Sequence, residues 1–139
     1  MGRRRIVLLV VVAVAVGACS SSSASEAATE EAIRNYFDAW NTRDVDLIMS
    51  YVADDAELEF DPAGVFWTDP GGIRGAFEPM FARSEWTISV SDFEVEGDSA
   101  TYNYEILSPD GTVLERGRSR AVVEDGLITS ERAVGAYRS

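Results

Sequence analysis

The stretch WTISVSDFEVEGDSATYNYEILSPDGTVLERGRSRAVVEDGLITSERAV, residues 86–134, decides the fold. Its apolar residues recur with period two, which is the mark of half-buried strands. Trp86, Ile88 and Val90 open a strand that runs through a bulge to Phe93 and Val95. Gly97-Asp98 turns it into Ala100–Leu107, Pro109-Asp110-Gly111 leads to Val113–Val123, and Asp125-Gly126 leads to Leu127–Val134. Glycine beside Asp supplies the positive φ that tight hairpins need. Three consecutive hairpins make an antiparallel meander. Such a sheet has one apolar face, and that face requires a partner layer.

The partner layer lies upstream. Thr29-Glu30-Glu31 reads as a capped helix start, and Ile33, Phe37 and Trp40 follow at helical spacing with Tyr36 beside them. Asp44 caps a short second helix carrying Val45, Leu47, Ile48, Tyr51 and Val52. Ala56, Leu58 and Phe60 alternate with Glu57, Glu59 and Asp61, predicting a strand. Asp61–Gly72 holds prolines and glycines and reads as a loop, although it carries Val65, Phe66 and Trp67. A third helix is predicted over about Ala76–Arg83, with Phe77, Met80 and Phe81 on one face. The order is α-α-β-α-β-β-β-β. The class is therefore α+β, with three N-terminal helices packed on a curved antiparallel sheet.

Composition narrows the chemistry. The 139 residues include twelve basic residues, all arginine, against twenty-four acids, for a net charge of −12. That balance argues against a nucleic-acid partner, because phosphate binding relies on clustered Lys and Arg. Histidine is absent, which removes the Ser-His-Asp and Cys-His mechanisms and any imidazole-held metal. No cofactor is indicated. The acidic run Asp54, Asp55, Glu57, Glu59 and Asp61 lacks the spacing of a calcium loop and reads as a solvated face.

Residues 1–18 read as an address. Arg3-Arg4-Arg5 precedes the apolar run Ile6–Val16, which is too short to span a bilayer, then Gly17-Ala18 and the lone Cys19. Val16-Gly17-Ala18-Cys19 resembles the lipobox of bacterial lipoproteins, in which the cysteine is diacylglycerated, the chain is cut before it, and the new N-terminus is acylated. The resemblance implies a lipid anchor at Cys19 on the extracytoplasmic face of the cell membrane. The greasy run favours the general secretory route, with Arg4-Arg5 leaving a twin-arginine signal as the alternative. Ser20–Ala28 has little to bury, so residues 19–28 are expected to form the acylated cysteine and a flexible tether. Residues 29–139 are the folded domain. Removal of residues 1–18 leaves a charge of −15, which keeps the domain off anionic headgroups.

Ala32–Asn41, Asp44–Ile48, Tyr51–Ala56 and Ile73-Arg74-Gly75 together resemble the nuclear transport factor 2-like superfamily. That superfamily includes the polyketide cyclase (SnoaL-like) and ketosteroid isomerase families. The resemblance implies a cone of curved sheet and helices around a pocket, on which enzymes, binders and dimer scaffolds are all built. In the isomerase branch an Asp base faces an oxyanion hole made by a Tyr and a protonated Asp. The resemblance places Tyr36 at the oxyanion tyrosine. It places the base at Phe60, with Asp61 one residue late and so on the opposite strand face. The second acid falls near Glu115-Arg116-Gly117. Tyr36 and Asp61 are thus the catalytic candidates, in an incomplete set.

The pocket is expected to be lined by Tyr36, Trp40, Phe60, Phe77, Phe81 and Trp86, with Tyr102 from the meander. Phe66 and Trp67 join them because apolar residues in a Pro/Gly loop call for a lid, an interface or a membrane contact. Arg116, Arg118 and Arg120 alternate and share a face. On the outer face they would pair with Glu105, Glu131 or Glu96, whereas inside the cone Arg118 would bind an anion. The leading functional expectation is a non-enzymatic domain binding a small apolar or amphipathic ligand or a protein partner. A pocket enzyme (isomerase, cyclase or lyase) using Tyr36 and a carboxylate such as Asp61 is one alternative, and a homodimeric scaffold joined through the outer sheet face is the other.

Overall fold

The computed structural model describes residues 18–59, 66–67, 69–83 and 85–135, with side chains for all of these except 18–22, 66 and 67. The apolar run Ile6–Val16 lies outside the described residues. Three helices precede the meander, as the periodicity predicts: α1 (Ala18–Thr42), α2 (Val45–Met49) and α3 (Pro70–Ala82). Six strands form one sheet: β1 (Val52–Glu59), β2 (Phe66–Trp67), β3 (Thr87–Glu96), β4 (Ser99–Leu107), β5 (Val113–Glu124) and β6 (Leu127–Gly135). The spatial order is β2-β1-β6-β5-β4-β3. All pairs are antiparallel except β1 with β6, which is parallel. Closing the sheet through this pair brings the first strand beside the last.

The turns follow their residues. Gly97, Gly111, Asp125 and Gly126 all have positive φ, as the hairpin signals require. The bulge in β3 falls between Ser91 and Glu94, where Asp92 adopts φ 53°. Further register shifts interrupt β4–β5 and β5–β6. Each inserts a residue, bends its strand and increases the local twist. The strands thereby curl around α1, whose Ile33, Tyr36, Phe37 and Trp40 are buried with Ala100, Tyr102, Ala121 and Ile128 of the sheet.

Two helix starts differ from expectation. α1 begins at Ala18, so Ser20–Ala28, expected as a tether, is helical, and Thr29 lies inside the helix instead of capping it. The side chains over Ser23–Ala28 are mostly exposed. Buried Thr29 donates its hydroxyl to the Gly97 carbonyl at 2.7 Å, tying the helix to the β3–β4 turn. α3 begins at Pro70, not near Ala76. Asp69 caps it by accepting from the Gly72 amide at 2.8 Å, and proline is well tolerated in a first turn, where its missing N–H has no helical partner. Asp44 caps α2 as expected, accepting from the Leu47 amide at 3.2 Å.

The end of α1 is fastened to edge strand β3 by Asn41. Its amide donates to the Ile88 carbonyl at 2.9 Å and accepts from the Ile88 amide at 2.8 Å, imitating a neighbouring strand. Asn41→Ala would leave both backbone groups without this partner. A loss of about 2 kcal/mol is expected in denaturant unfolding, with the fastest new amide exchange at Ile88.

Candidate functional site

The sheet's inner face and α1 enclose a cavity of about 220 Å³. Phe37 and Trp40 of α1, Met80 of α3 and Ile88 and Ile106 of the sheet give it apolar walls, with Trp86 just before β3. The polar part of the lining comes from Glu59, Tyr104, Glu115, Ser119 and Glu131.

Glu131 is the most unusual of these. It lies on β6 opposite Ala121 of β5 and beside Leu58 of β1, and is only 4% exposed. The Tyr102 hydroxyl donates to its Oε1 at 3.0 Å. Buried Tyr36 lies beside the same carboxyl and favours its ionised form, yet its hydroxyl stops short of hydrogen-bond geometry. Oε2 of Glu131 is likewise without a bonded partner. Desolvation dominates and lifts the Glu131 pKa to about 7, against the smaller opposing pull of the two phenols. Burial, reinforced by the nearby carboxylate, in turn drives the Tyr36 and Tyr102 hydroxyls well above their ordinary range.

A second carboxyl stands nearer the surface. The Tyr104 hydroxyl donates to Glu115 Oε1 at 3.0 Å, and desolvation raises its pKa. The Tyr104 ring lies against Gly117, its cross-strand partner: a Cβ there would sit 2.3 Å from the hydroxyl oxygen. Glycine at 117 is what lets this ring lie flat on the sheet.

The expected residues distribute unevenly. Trp40 and Trp86 line the cavity, while Tyr36 and Tyr102 are fully buried with their hydroxyls toward Glu131. Phe77 and Phe81 are buried behind the wall, with ring centroids 5.3 and 5.6 Å from Trp40. Phe60 and Asp61 lie outside the described residues. Phe66 and Trp67 form β2 against Glu59 and Leu58, and their side chains also lie outside that description.

Arg118 is not in the cavity. Gly117, Ser119, Ala121 and Val123 take the inner face of β5, which turns the alternating arginines outward. Arg116 pairs with Glu105 at 2.7 Å and Arg118 with Glu94 at 2.8 Å, while Arg120 donates to Ser99 at 3.0 Å. Of the acids expected as their partners, Glu131 points the other way. The extra residue of β6 explains this: Val122 pairs with Ser130 but Val123 with Ile128, so Thr129 is inserted and strand parity inverts. Even alternation from Ile128 would have sent Glu131 outside. Glu131 and its neighbour Ala133 are site residues that alternation alone cannot find; a polar residue among the apolar positions of a terminal strand was the only signal.

A curved α+β cone with a carboxyl at the floor of an apolar cavity is the class that fold and site define. The chain belongs to the SnoaL-like domain family, whose model matches residues 33–131. Solved structures similar in fold include a cystatin-like protein of unknown function from Methylobium petroleophilum (TM-score 0.67, 20% identity, covering 83% of this chain and 80% of that one). A candidate polyketide cyclase from Sinorhizobium meliloti matches with TM-score 0.63 at 18% identity, over 74% of this chain and 93% of that one. A candidate ketosteroid isomerase from Kribbella flavida matches with TM-score 0.59 at 21% identity, over 83% and 84%. No match among curated proteins reaches significance.

Proposed function

We propose that this domain binds a small, largely apolar molecule in the cone, with one polar group of that molecule set against Glu131. The observation that carries the proposal is Glu131, a residue of the cavity lining whose buried carboxyl keeps one oxygen without a bonded partner. Burying a polar atom without a partner costs free energy, and a ligand's donor would recover it. Apolar walls with few polar groups are the usual build of small-ligand sites, and about 220 Å³ suits a compact ring. Cyclohexanol is a suitable probe. Calorimetry should detect its binding to the wild type, and Ala133→Phe, which fills the cavity, should abolish it while circular dichroism stays unchanged. Equal binding by both proteins would contradict the proposal.

A second reading is proton-transfer chemistry of the isomerase, cyclase or lyase kind. The observation favouring it is the Glu131 pKa of about 7, which is where a general acid or base works best. Tyr36, the expected oxyanion residue, is beside that carboxyl. A scaffold role draws less support, since the outer sheet face carries the ion pairs of Arg116, Arg118 and Arg132.

The domain is further proposed to be held at the extracytoplasmic membrane surface by lipid on Cys19. What supports this is the sequence Val16–Cys19 after a short apolar run. Among the described residues no helix is long and apolar enough to cross a membrane. Cys19→Ser should move the protein from the membrane fraction to the soluble one. Retention in the membrane fraction would contradict the anchor.

A further inference from the structure

We infer that the cavity's occupant is an organic cation, an ammonium group carried on a compact apolar body, seated with its charge against Glu131. The inference rests on the pocket proposed above and concerns the charge class of what fills it. Three observations point the same way.

The first is charge. The ionisable acids among the described lining residues are Glu59, Glu115 and Glu131, and no arginine is among them. Five of the described arginines form ion pairs away from the lining: Arg34 with Glu30, Arg74 with Asp46, Arg116 with Glu105, Arg118 with Glu94 and Arg132 with Glu57. Arg43 donates to the Trp86 carbonyl at 2.6 Å, and Arg120 to Ser99. The described charged side chains that line the cavity are thus all acids.

The second is hydrogen-bond supply. Each phenol carries one proton to donate. Tyr102 spends its proton on Glu131, and Tyr104 spends its own on Glu115. Glu131 Oε2 is buried and has no donor. Tyr36, whose hydroxyl is also without a bonded partner, does not reach it, so the carboxyl keeps an acceptor to offer, and the described lining carries three acids and no cationic side chain to hold an anion. An ammonium brings three donors and the matching sign.

The third is the wall. Trp40, Trp86, Phe37 and Tyr104 offer aromatic surfaces around the cavity. The faces of such rings attract cations, most strongly where water is excluded.

Glu131 must be ionised to hold the cation. The titratable groups around it are Tyr36 from α1 and Tyr102 from β4, with Tyr104 of β4 near enough to feel its charge, while its neighbours on β1 and β5 are Leu58 and Ala121. All three phenols stay protonated at neutral pH, because burial raises them. Affinity for an amine should therefore rise with pH through about 7 as this one carboxyl ionises.

The test uses three matched probes on the full chain: cyclohexylamine, cyclohexanol and cyclohexanecarboxylate, measured by calorimetry at about pH 8 and about pH 5.5. Cyclohexylamine is expected to bind at least about tenfold more tightly than cyclohexanol at the higher pH, and to lose that margin at the lower. Glu131→Gln should erase the margin of cyclohexylamine over cyclohexanol, because the amide carries no charge to pair with the ammonium. The pH comparison on the unaltered chain holds even if that variant folds poorly. Cyclohexanol binding as tightly as the amine, or the carboxylate binding best, would overturn the cation and leave the pocket standing. Binding of none of the three would overturn both.

Discussion

Glu131→Gln is expected to make the protein markedly more stable at about pH 8 and to leave it nearly unchanged near pH 4.5. In the folded chain the carboxyl titrates at about 7, against an ordinary value of 4.5. Between these values the folded state holds a proton that the unfolded state has released. Stability from this group is therefore complete below about pH 4.5 and is lost as pH rises through about 7. The difference corresponds to roughly 3 kcal/mol at alkaline pH, or on the order of 10 °C in Tm for a domain of this size. The amide that Glu131→Gln introduces carries no charge to desolvate. Its oxygen can accept from Tyr102 as Oε1 does, and its N–H₂ can reach toward the Tyr36 hydroxyl. Thermal unfolding of both proteins across this range isolates Glu131 from the other acids, whose titration is common to the two. Parallel curves at every pH would mean that the carboxyl is not buried as described.

The second large effect is expected at Gly117. A Cβ there would lie 2.3, 2.4 and 2.6 Å from the hydroxyl oxygen, Cζ and Cε1 of Tyr104. These belong to one rigid ring, so the whole ring must swing away and its hydrogen bond to Glu115 must break. Gly117→Ala should cost about 1–3 kcal/mol, the usual range for overpacking. In a Tyr104→Ala background the same change should be close to neutral, because the steric partner is gone and alanine fits a strand better than glycine. Urea unfolding of the four proteins in the cycle gives the coupling directly. An equal cost in both backgrounds would mean that Gly117 is required for some other reason.

Much of the fold could be read from local chemistry. Asp44 capped its helix, Gly97, Gly111 and Asp125-Gly126 turned their hairpins, and the bulge before Phe93 kept Val95 within the same strand. These features depend on neighbours a few residues apart, where side-chain rules act without tertiary help. The parallel pairing of β1 with β6 depends on segments far apart in the chain, and no local pattern encodes it. The start of α3 was hidden because Pro70, Gly71 and Gly72 read as breakers, although Asp69 and Pro70 are favourable in a first turn. The serines after Cys19 read as a tether by composition, yet the helix runs through them.

The site was less legible. Tyr36 and Trp40 were found by helical spacing and by the family likeness, and their burial together follows from that spacing. Glu131 was lost because one inserted residue, Thr129, exchanges the two faces of β6. The same parity rule, undisturbed over Gly117–Val123, correctly grouped Arg116, Arg118 and Arg120 on one face. Which face was buried could be decided only by the packing of α1. A carboxylate that reads as a surface partner of arginine is thus the residue at the floor of the cavity.

The most direct measurement is the titration of the Glu131 carboxyl itself, followed by carbon-13 NMR in the free protein and with saturating cyclohexylamine. A pKa of about 7 in the free protein, falling by at least about one unit when the cation is bound, is the predicted result. A value near the ordinary 4.5 that does not move on addition of the amine would contradict the account.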